Sequence, residues 1–442
     1  MPPAAVIRTL PALVLWGLSF QAHALPGAQQ DPRGADALAV WARTAATPLA
    51  PIDAHDDLKA PAELSRLTGL TRATRVLALG ESVHGTHELT LQRARLTEQL
   101  IARGRVSAVV METGLAEARA IDAWIGHETD VAPDFESSLS YGFGKNRETV
   151  DALRWIREHN AGVSAARRVR FYGMDQPANG GGSLLPALEP VWSFLDDADP
   201  RAAADSRAIL KPIAEQIASE SYGIVGKYAA LGAPRRDTLR AQLDSLVARL
   251  RANERTYVAH TSPDRYAWAF RLAQVAAQTE ANVRIGWNDA SNPRDVGMAD
   301  NVRWVVGREA ARGLVVVWAH DLHVGRVPIT GPMFASRGGA AAVASMGQLL
   351  ARSLGSAYLP VGSAFRRRAA DSTAVVDSTT VDATLSRVGK PRFLLDLARA
   401  PRVGPVARWL GKARLKRAED GYVVSTPSRA FDAIVYVDSL GS

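Results

Sequence analysis

The chain has 442 residues, of which 47% are hydrophobic, and its formal net charge at pH 7 is +8. Because it contains no cysteine, the sequence excludes disulfide bonds, a cysteine nucleophile and thiolate metal ligands. A positive net charge is typical of proteins that bind nucleic acid. In this chain, however, the arginines are spread through predicted helices beside acids, and neither zinc-finger spacing nor an RNA-binding signature occurs. We therefore predict no nucleic-acid partner and expect the arginines to lie on solvated helix faces. Basic residues are densely clustered at 366–368 and 412–417.

The first 24 residues have the features of an export signal. Arg8 provides a basic start, residues 10–20 form an apolar run, and residues 22–24 form a small-residue cleavage site. The apolar run is too short to span a bilayer, and no later segment reaches that length. We expect cleavage after Ala24, a mature chain without an integral membrane segment, and a periplasmic or secreted protein.

A linker with one helix is expected at 25–60, before the main domain at 61–442. The first strong strand of that domain, 75–79, ends at a glycine and is followed by Glu81 and His84. A strand, a short polar loop and then a helix is the order in which an open α/β sheet presents chemistry at the carboxyl end of a strand.

A carboxylate three residues before a histidine can orient the imidazole and raise its basicity, as a water-activating base requires. Glu81 and His84 have this spacing, and His87 and Glu88 follow them closely. We therefore predict a catalytic pair in this loop. The alternative is a polar turn without chemistry.

The helix after this loop carries an arginine on its apolar face. Arg93 is aligned with Leu89, Leu96 and Leu100 at helical spacing. An arginine on an inward stripe normally has a partner, and this one lies near enough to the helix start to reach the loop of Glu81. A side chain that runs to the rim of the core is the alternative.

Three further strands end in polar side chains. The strand 107–111 is followed by Glu112, the strand 169–174 by Asp175, and the strand 314–318 by His320 and His323. Two later strands are expected at 357–361 and 433–437. If the first four strands are parallel neighbours, spaced about 4.8 Å apart, the side chains at their ends converge on one crevice.

Two other residues are candidates for the walls of this crevice. Tyr141 belongs to the aromatic and glycine-rich segment 140–144, which is suited to lining a pocket. Arg294 is aligned with Met298, Val302 and Val305 along a helix, so it is a second arginine on an apolar stripe. With Asp175 and His323, these two are predicted to bind the substrate.

Residues 184–280 are mainly helical in pattern and separate two strands of the sheet. Such a length exceeds the dozen or more residues that a crossover between parallel strands needs, so we predict an inserted helical lobe or lid over the carboxyl edge. The predicted fold class is α/β, with a mostly parallel sheet flanked by helices and this lobe inserted.

Acids, imidazoles and arginines without a cysteine or serine nucleophile fit direct attack by water. His84 would take the proton, Glu81 or Glu112 would hold the imidazole, and Arg93 or His320 would stabilise the oxyanion. No Gly-x-Ser-x-Gly or His-Glu-x-x-His motif occurs. A metal site with nitrogen and oxygen ligands is the remaining alternative; its ligands would be His84, His87, His320 and His323 with Glu81.

Four motifs of the chain, taken together, resemble those of the erythromycin esterase family over residues 60–442. They are Gly80-Glu81-x-x-His84-Gly85, Arg294-Asp295-x-x-Met298-Ala299, Trp318-Ala319-His320-x-x-His323-Val324 and Met346-Gly347-x-x-Leu350. The resemblance implies an α/β sheet with a helical lobe and a deep cleft. It also implies hydrolysis of a macrolide lactone by histidine-activated water, with no obligatory metal.

Carried over by position, the resemblance makes His84 the general base and Glu81 its neighbouring carboxylate. Arg93, Glu112 and His320 match the other residues that are important for activity. Two positions depart from the family pattern: Val83 stands where threonine is frequent, and Asp321 where asparagine is common. A carboxylate at 321 could raise the pKa of His320 or invite a metal.

We therefore expect an exported esterase that acts on a small macrolide-like substrate without a cofactor. Because the family also includes members associated with exopolysaccharide production, a non-catalytic or exopolysaccharide-associated envelope protein is one alternative. A hydrolase with a divalent metal at His84, His320 and His323 is the other.

Overall fold

The structure is a computed structural model that describes residues 31–51, 61–220, 223–285, 290–332, 342–368 and 380–441. The export signal predicted at 1–24 lies outside these residues, as do parts of the predicted linker at 25–60. Among the described helices, none is long and apolar enough to cross a membrane.

Ten strands occur in the described residues. They are β1 (Thr47–Pro48), β2 (Val76–Glu81), β3 (Val106–Gly114), β4 (Arg170–Asp175), β5 (Leu314–His320), β6 (Tyr358–Arg368), β7 (Arg392–Asp396), β8 (Arg414–Ala418), β9 (Gly421–Ser425) and β10 (Ala433–Leu440). Eight of these form one sheet in the order β1-β7-β10-β6-β2-β5-β3-β4, and β8 and β9 form a separate hairpin. Neighbours from β10 to β4 run parallel, whereas β7 is antiparallel to both β10 and β1.

Helices cover both faces of this sheet. The α-helices of the described residues are Pro32–Ala45, Pro61–Leu70, His87–Ile101, Ala118–Ile125, Phe135–Ser138, Arg147–Ala161, Pro177–Gly181, Leu185–Ala198, Pro200–Ile217, Ile224–Ala229, Ala233–Ala252, Glu254–His260, Pro263–Ile285, Pro293–Glu309, Asp321–Val324, Met346–Leu354, Val381–Ser386, Gly404–Leu410 and Pro427–Ala430. Short 3₁₀ turns lie at Ser140–Lys145, Ala165–Arg167, Gly355–Ala357 and Leu397–Arg399. The predicted α/β class, with a mostly parallel sheet flanked by helices, is confirmed.

The central strands are apolar on both sides because both sides are covered. Successive residues of β2 alternate between two apolar clusters, with Ala78 in one cluster and Leu77 and Leu79 in the other. Parallel sheets are generally buried on both faces in this way, and their strands therefore read as continuous apolar runs. This explains why the six parallel strands were recognisable from the sequence.

Four of the described strands were not predicted, β1, β7, β8 and β9, and none of them has more than five residues. β1 has two residues, and β8 coincides with the basic cluster at 412–417. That cluster does not lie on a solvated face, because Arg414, Lys416 and Arg417 are all buried. Their alternation with apolar residues is weak, so nothing local in the sequence marks this segment as a strand.

The chain between β4 and β5 forms the expected group of helices, from Leu185–Ala198 to Pro263–Ile285. Trp268 of the last helix stacks on Tyr172 of β4. Asn282, near the end of that helix, donates a hydrogen bond to Gln176 just beyond the carboxyl end of β4. The lobe therefore packs along the flank of the sheet and reaches its carboxyl edge at one end.

A buried carboxylate joins three helices of this lobe. The Glu280 side chain is enclosed, accepts a hydrogen bond from the Tyr228 hydroxyl, and pairs with Arg240 (3.3 Å) and Arg284 (2.8 Å). Because the pairing compensates the burial of the charge, removal of the carboxylate leaves a buried hydroxyl and two arginines without their common acceptor.

We expect Glu280→Ala to lower the free energy of unfolding by about 1–3 kcal/mol, the cost of orphaned buried hydrogen-bonding groups. Asp244→Ala is the matched control, because Asp244 also pairs with Arg240 but at the surface; its effect should be within about 0.5 kcal/mol. Urea unfolding followed by circular dichroism measures both. Equal losses in the two variants would contradict the role given to Glu280.

Candidate active site

The carboxyl ends of β2, β5, β3 and β4 lie side by side at one edge of the sheet. β5 is inserted between β2 and β3, and its register pairs Glu81 directly with His320. Glu112 and Asp175 follow on the next two strands. The structure thus brings the four predicted strand-end residues to one edge.

Glu81 is the buried centre of the first group of site residues. One of its oxygens, Oε1, lies 2.9 Å from Nδ1 of His84 and 3.2 Å from Nη1 of Arg93. Burial raises the pKa of Glu81, but the Arg93 guanidinium and the His84 and His320 imidazoles lower it more, so the group is a carboxylate. Arg93 is enclosed and its guanidinium lies over the Trp318 ring. Arg93 therefore pairs with Glu81 on the buried side of the carboxylate.

The His84 ring is the part of this group that solvent reaches, since 28% of its side chain is exposed. Its ring lies edge-on to His320 and Phe143 and is parallel to the Tyr141 ring. Burial lowers its pKa, but the carboxylates of Glu112, Glu81 and Glu419 raise it more, and the net result is a raised pKa. His84 is consequently a stronger base than an ordinary histidine.

Arg294 is the centre of a second buried group. Its guanidinium donates to Asp175 (2.6 Å), to Glu112 (2.8 Å) and to the Tyr141 hydroxyl (2.9 Å). The Tyr141 hydroxyl in turn donates to Asp175 at 2.8 Å. These charge-assisted bonds hold the predicted substrate-binding residues Tyr141, Asp175 and Arg294 in one network.

His323 joins this network as a cation. Its Nδ1 lies 2.9 Å from Asp295 and its Nε2 lies 3.3 Å from Glu112. Burial lowers its pKa, but Asp295 and Glu112 outweigh burial and raise the pKa to about 10. The raised pKa favours the imidazolium form of His323 at neutral pH, and its Nε2 also lies 3.2 Å from Nη1 of Arg294.

Glu112 lies between the two groups. Burial raises its pKa, but His323, His84 and Arg294 together hold the pKa well below its usual range. Its Oε1 is 3.9 Å from Nε2 of His84, and its other oxygen accepts a hydrogen bond from the backbone of His320. The Glu112 carboxylate thus connects the proposed base, His84, with Arg294 and His323.

Both ring nitrogens of His320 have partners. Nδ1 accepts a hydrogen bond from the Leu322 backbone, so Nε2 carries the hydrogen, which it donates to the Ser82 carbonyl at 3.1 Å. Glu419 Oε1 is 3.4 Å from the same Nε2. The ring is enclosed and packs against His84.

Asp321, one of the two departures from the family pattern, is engaged elsewhere. Its carboxylate lies 2.6 Å from Nζ of Lys416 and accepts hydrogen bonds from Ser363. It also fills the space beside Gly80, where a Cβ would lie 2.1 Å from Oδ1 of Asp321. Glycine is therefore required there. Val83, the other departure, packs in the apolar core.

Two observations concern the predicted metal alternative. His87 is not part of the crevice cluster, because its Nδ1 lies 2.6 Å from Glu148. Among the described residues, no group of three or more His, Asp or Glu side chains is arranged to hold a metal ion.

Glu419 is a site residue that the sequence analysis missed. It lies in the turn of the β8–β9 hairpin, and its Oε1 accepts a hydrogen bond from the His84 backbone at 2.9 Å. It follows a basic segment and is 335 residues from His84 in sequence. No local pattern therefore connected it with the loop after β2.

Comparisons with known proteins point to one family. The model of the family described as Erythromycin esterase matches residues 101–440, a range that includes Glu112, Arg294 and His320 and begins after His84. Erythromycin esterase type II of Escherichia coli is 29% identical over 324 residues, which are 71% of this chain and 72% of that protein. Erythromycin esterase type I of Escherichia coli is 23% identical over 420 residues, or 86% and 94% of the two chains.

Solved structures show the same fold at lower identity. A Bacillus cereus protein has a TM-score of 0.77 at 20% identity and covers 92% of this chain and 98% of its own. A succinoglycan biosynthesis protein has a TM-score of 0.75 at 18% identity, with 93% and 99% covered. A mutant of erythromycin esterase EreC in its open conformation has a TM-score of 0.68 at 18% identity, with 85% and 93% covered.

The Arg294 network gives a stability prediction. Arg294→Met leaves two buried carboxylates without their shared cation, so we expect a loss of about 3–5 kcal/mol in the free energy of unfolding. Arg303→Met, on the same helix, removes a partly exposed arginine that pairs with Asp300 and should cost less than about 0.5 kcal/mol. Urea unfolding at neutral pH measures both, and similar losses would rule out the bridging role.

Proposed function

Because the chain belongs to the erythromycin esterase family, we propose that it is a hydrolase that opens macrocyclic lactones by attack of water. The observation that carries this proposal is the contact of His84 Nδ1 with Glu81 Oε1 at 2.9 Å, with Arg93 behind the carboxylate. Support for the substrate class comes from the two Escherichia coli relatives named erythromycin esterases.

In the proposed mechanism, Glu81 fixes the His84 ring with the hydrogen on Nδ1. Nε2 is then the free basic nitrogen, and it takes a proton from water as the water oxygen attacks the lactone carbonyl carbon. The tetrahedral intermediate collapses with cleavage of the bond between the acyl carbon and the ring oxygen. His84 returns its proton to the leaving alkoxide, so the products are a carboxylic acid and an alcohol on one opened chain.

The neighbouring charges stabilise the protonated form of His84 during this step. Glu81 lies on the Nδ1 side of the ring and Glu112 on the Nε2 side, so the imidazolium is flanked by two carboxylates. Arg93 and His320 are each only 3% exposed in their side chains. We therefore give both a positioning role, Arg93 through Glu81 and His320 by packing on His84; the stabilisation of the oxyanion by either residue stays a prediction.

The second buried group is proposed to shape the substrate pocket. Tyr141 is the member of this group that lies beside the His84 ring, and it is held by Asp175 and Arg294. Both Tyr141 and the following Gly142 have left-handed backbone angles, so the network also has to compensate a strained turn. We propose that the Tyr141 ring is a wall against which the substrate packs.

A second function is favoured by one specific observation, which is the similar fold of a succinoglycan biosynthesis protein. An exopolysaccharide-associated envelope protein would keep the crevice for binding and would not hydrolyse lactones. Export of the chain to the periplasm or medium is proposed from residues 1–24 under either function. A metal-dependent hydrolase is the third alternative.

The deciding experiment incubates the purified protein with a panel of macrolides of different ring sizes and follows their mass. Addition of one water per macrolide supports the esterase, whereas an unchanged panel favours the envelope protein. Dialysis against a chelator, followed by zinc or manganese, is the second arm. Loss and recovery of ring opening in that arm would support the metal-dependent alternative.

Removal of the proposed base should abolish catalysis without unfolding the protein. We expect His84→Ala to lower kcat by about 10²- to 10⁴-fold, the typical contribution of a positioned general base. His159→Ala is the control, because the His159 ring stacks on Trp155 of the same helix, Arg147–Ala161; this variant should retain full activity. A folded His84→Ala protein with undiminished ring opening would refute the assignment.

The raised pKa of His84 predicts the pH dependence of the reaction. The base must be neutral to accept a proton, so kcat/KM should fall as pH decreases through the pKa of His84, and the midpoint should lie above the ordinary value of 6.5. Glu81→Gln removes one of the carboxylates that raise this pKa, so its midpoint should move to lower pH. A wild-type midpoint below 6.5 contradicts the account.

A further inference from the structure

The β8–β9 hairpin, although far from β2 in sequence, contacts the catalytic loop directly. Lys416 of β8 is buried and bonds to Asp321, the residue that follows the His320 strand end. The Arg417 backbone donates to the buried Asp382, and the Arg417 guanidinium lies over the Phe365 ring. These anchors fix the hairpin against the carboxyl edge of the sheet.

The turn of this hairpin contacts two histidines of the proposed site, His84 and His320. Glu419 donates its backbone N–H to the Ser82 carbonyl at 2.7 Å. Its Oε1 accepts the His84 backbone N–H at 2.9 Å and lies 3.4 Å from Nε2 of His320. The Ser82 carbonyl also accepts from His320. The backbone and the side chain of Glu419 therefore both form hydrogen bonds with the loop after β2, which carries the proposed base His84.

The backbone of Glu419 has φ of 48°, in the left-handed region that is unfavourable for residues other than glycine, asparagine and aspartate. A two-residue hairpin turn usually has glycine or asparagine at such positions. A residue with a side chain costs stability in this backbone conformation, and the hydrogen bonds of Glu419 to Ser82 and His84 offset the cost. Strain of this kind is common where a side chain has a functional role.

The charges that face His84 come from every element around it. Glu81 is the last residue of β2, Glu112 lies near the end of β3, Glu419 extends from the hairpin, and the His320 ring packs edge-on from the end of β5. Burial raises the pKa of Glu419, but His320 and His84 lower it more. Glu419 is thus a carboxylate, and it supplies negative charge beside His84 from the β8–β9 hairpin.

We propose that Glu419 is a positioning residue that holds the His84 loop and the His320 ring in place for the hydrolysis. The inference rests on the proposed function, because it assigns Glu419 to the same base. The carboxylate acts through its hydrogen bond to the His84 backbone and its 3.4 Å contact with the His320 ring, and its charge favours the imidazolium that forms when His84 takes a proton from water.

Three variants of the full chain test this proposal. Glu419→Ala removes the hydrogen bond to the His84 backbone, the contact with His320 and the charge. We therefore expect kcat for ring opening to fall on the order of 10- to 100-fold while KM changes little, as expected when reacting groups are displaced slightly. Glu419→Gln keeps an acceptor for the His84 N–H but removes the charge. It should recover most of the kcat at high pH, with the acidic limb of the profile moved to lower pH.

Asp420→Ala is the matched control. Asp420 is the other residue of the same turn, its side chain is 90% exposed, and it pairs with Arg368. Its substitution should leave kcat, KM and the acidic limb unchanged. An equal fall of kcat in Asp420→Ala and Glu419→Ala would overturn the proposal, because it would assign the effect to the hairpin fold alone.

A readout without substrate separates this proposal from the proposed function. Ring C–H resonances of the histidines, with His84 assigned from the spectrum of His84→Ala, give the titration midpoint of His84 by nuclear magnetic resonance. A lower midpoint in Glu419→Gln supports the positioning role even if no macrolide is opened. An unchanged midpoint overturns it even if the wild-type protein opens every macrolide tested.

Discussion

The site depends on the pairing of carboxylates that are buried where the parallel strands end. A carboxylate removed from water costs several kcal/mol unless cations and hydrogen bonds compensate it. Arg93 compensates Glu81, and Arg294 with His323 compensates Glu112. Both arginines occupy apolar stripes of their helices, where an unpaired charge would not be tolerated. The ion pairs therefore link these helices to the ends of the strands.

This arrangement raises the pKa of two histidines that differ in their access to solvent. His323 lies between two carboxylates in a closed position, and these raise its pKa to about 10, which favours its cationic form at neutral pH. His84 has a similar number of carboxylate neighbours but is partly open to solvent, and it can exchange its proton. Because His84 and His323 are the same residue type, their different roles follow from how deeply each ring is buried and whether solvent reaches it.

Much of the fold and part of the site could be predicted from the sequence. Glu81, Glu112 and Asp175 were found because each follows an apolar strand, and Arg294 because it interrupts an apolar stripe. The neighbour relations were not readable, since the insertion of β5 between β2 and β3 depends on long-range packing. Glu419 was missed for the same reason: its hairpin contacts the catalytic loop through tertiary structure alone, and its strand carries buried cations instead of an apolar pattern.

The central claim is that Glu81 fixes the tautomer of the His84 ring and leaves Nε2 free for water. Nitrogen-15 resonances of the imidazole, measured above the pKa of His84, test this most directly. The account predicts that the hydrogen of the neutral ring is on Nδ1, bonded to Glu81. A neutral His84 ring with its hydrogen on Nε2 would contradict the account, because the nitrogen that faces the crevice could then not accept a proton.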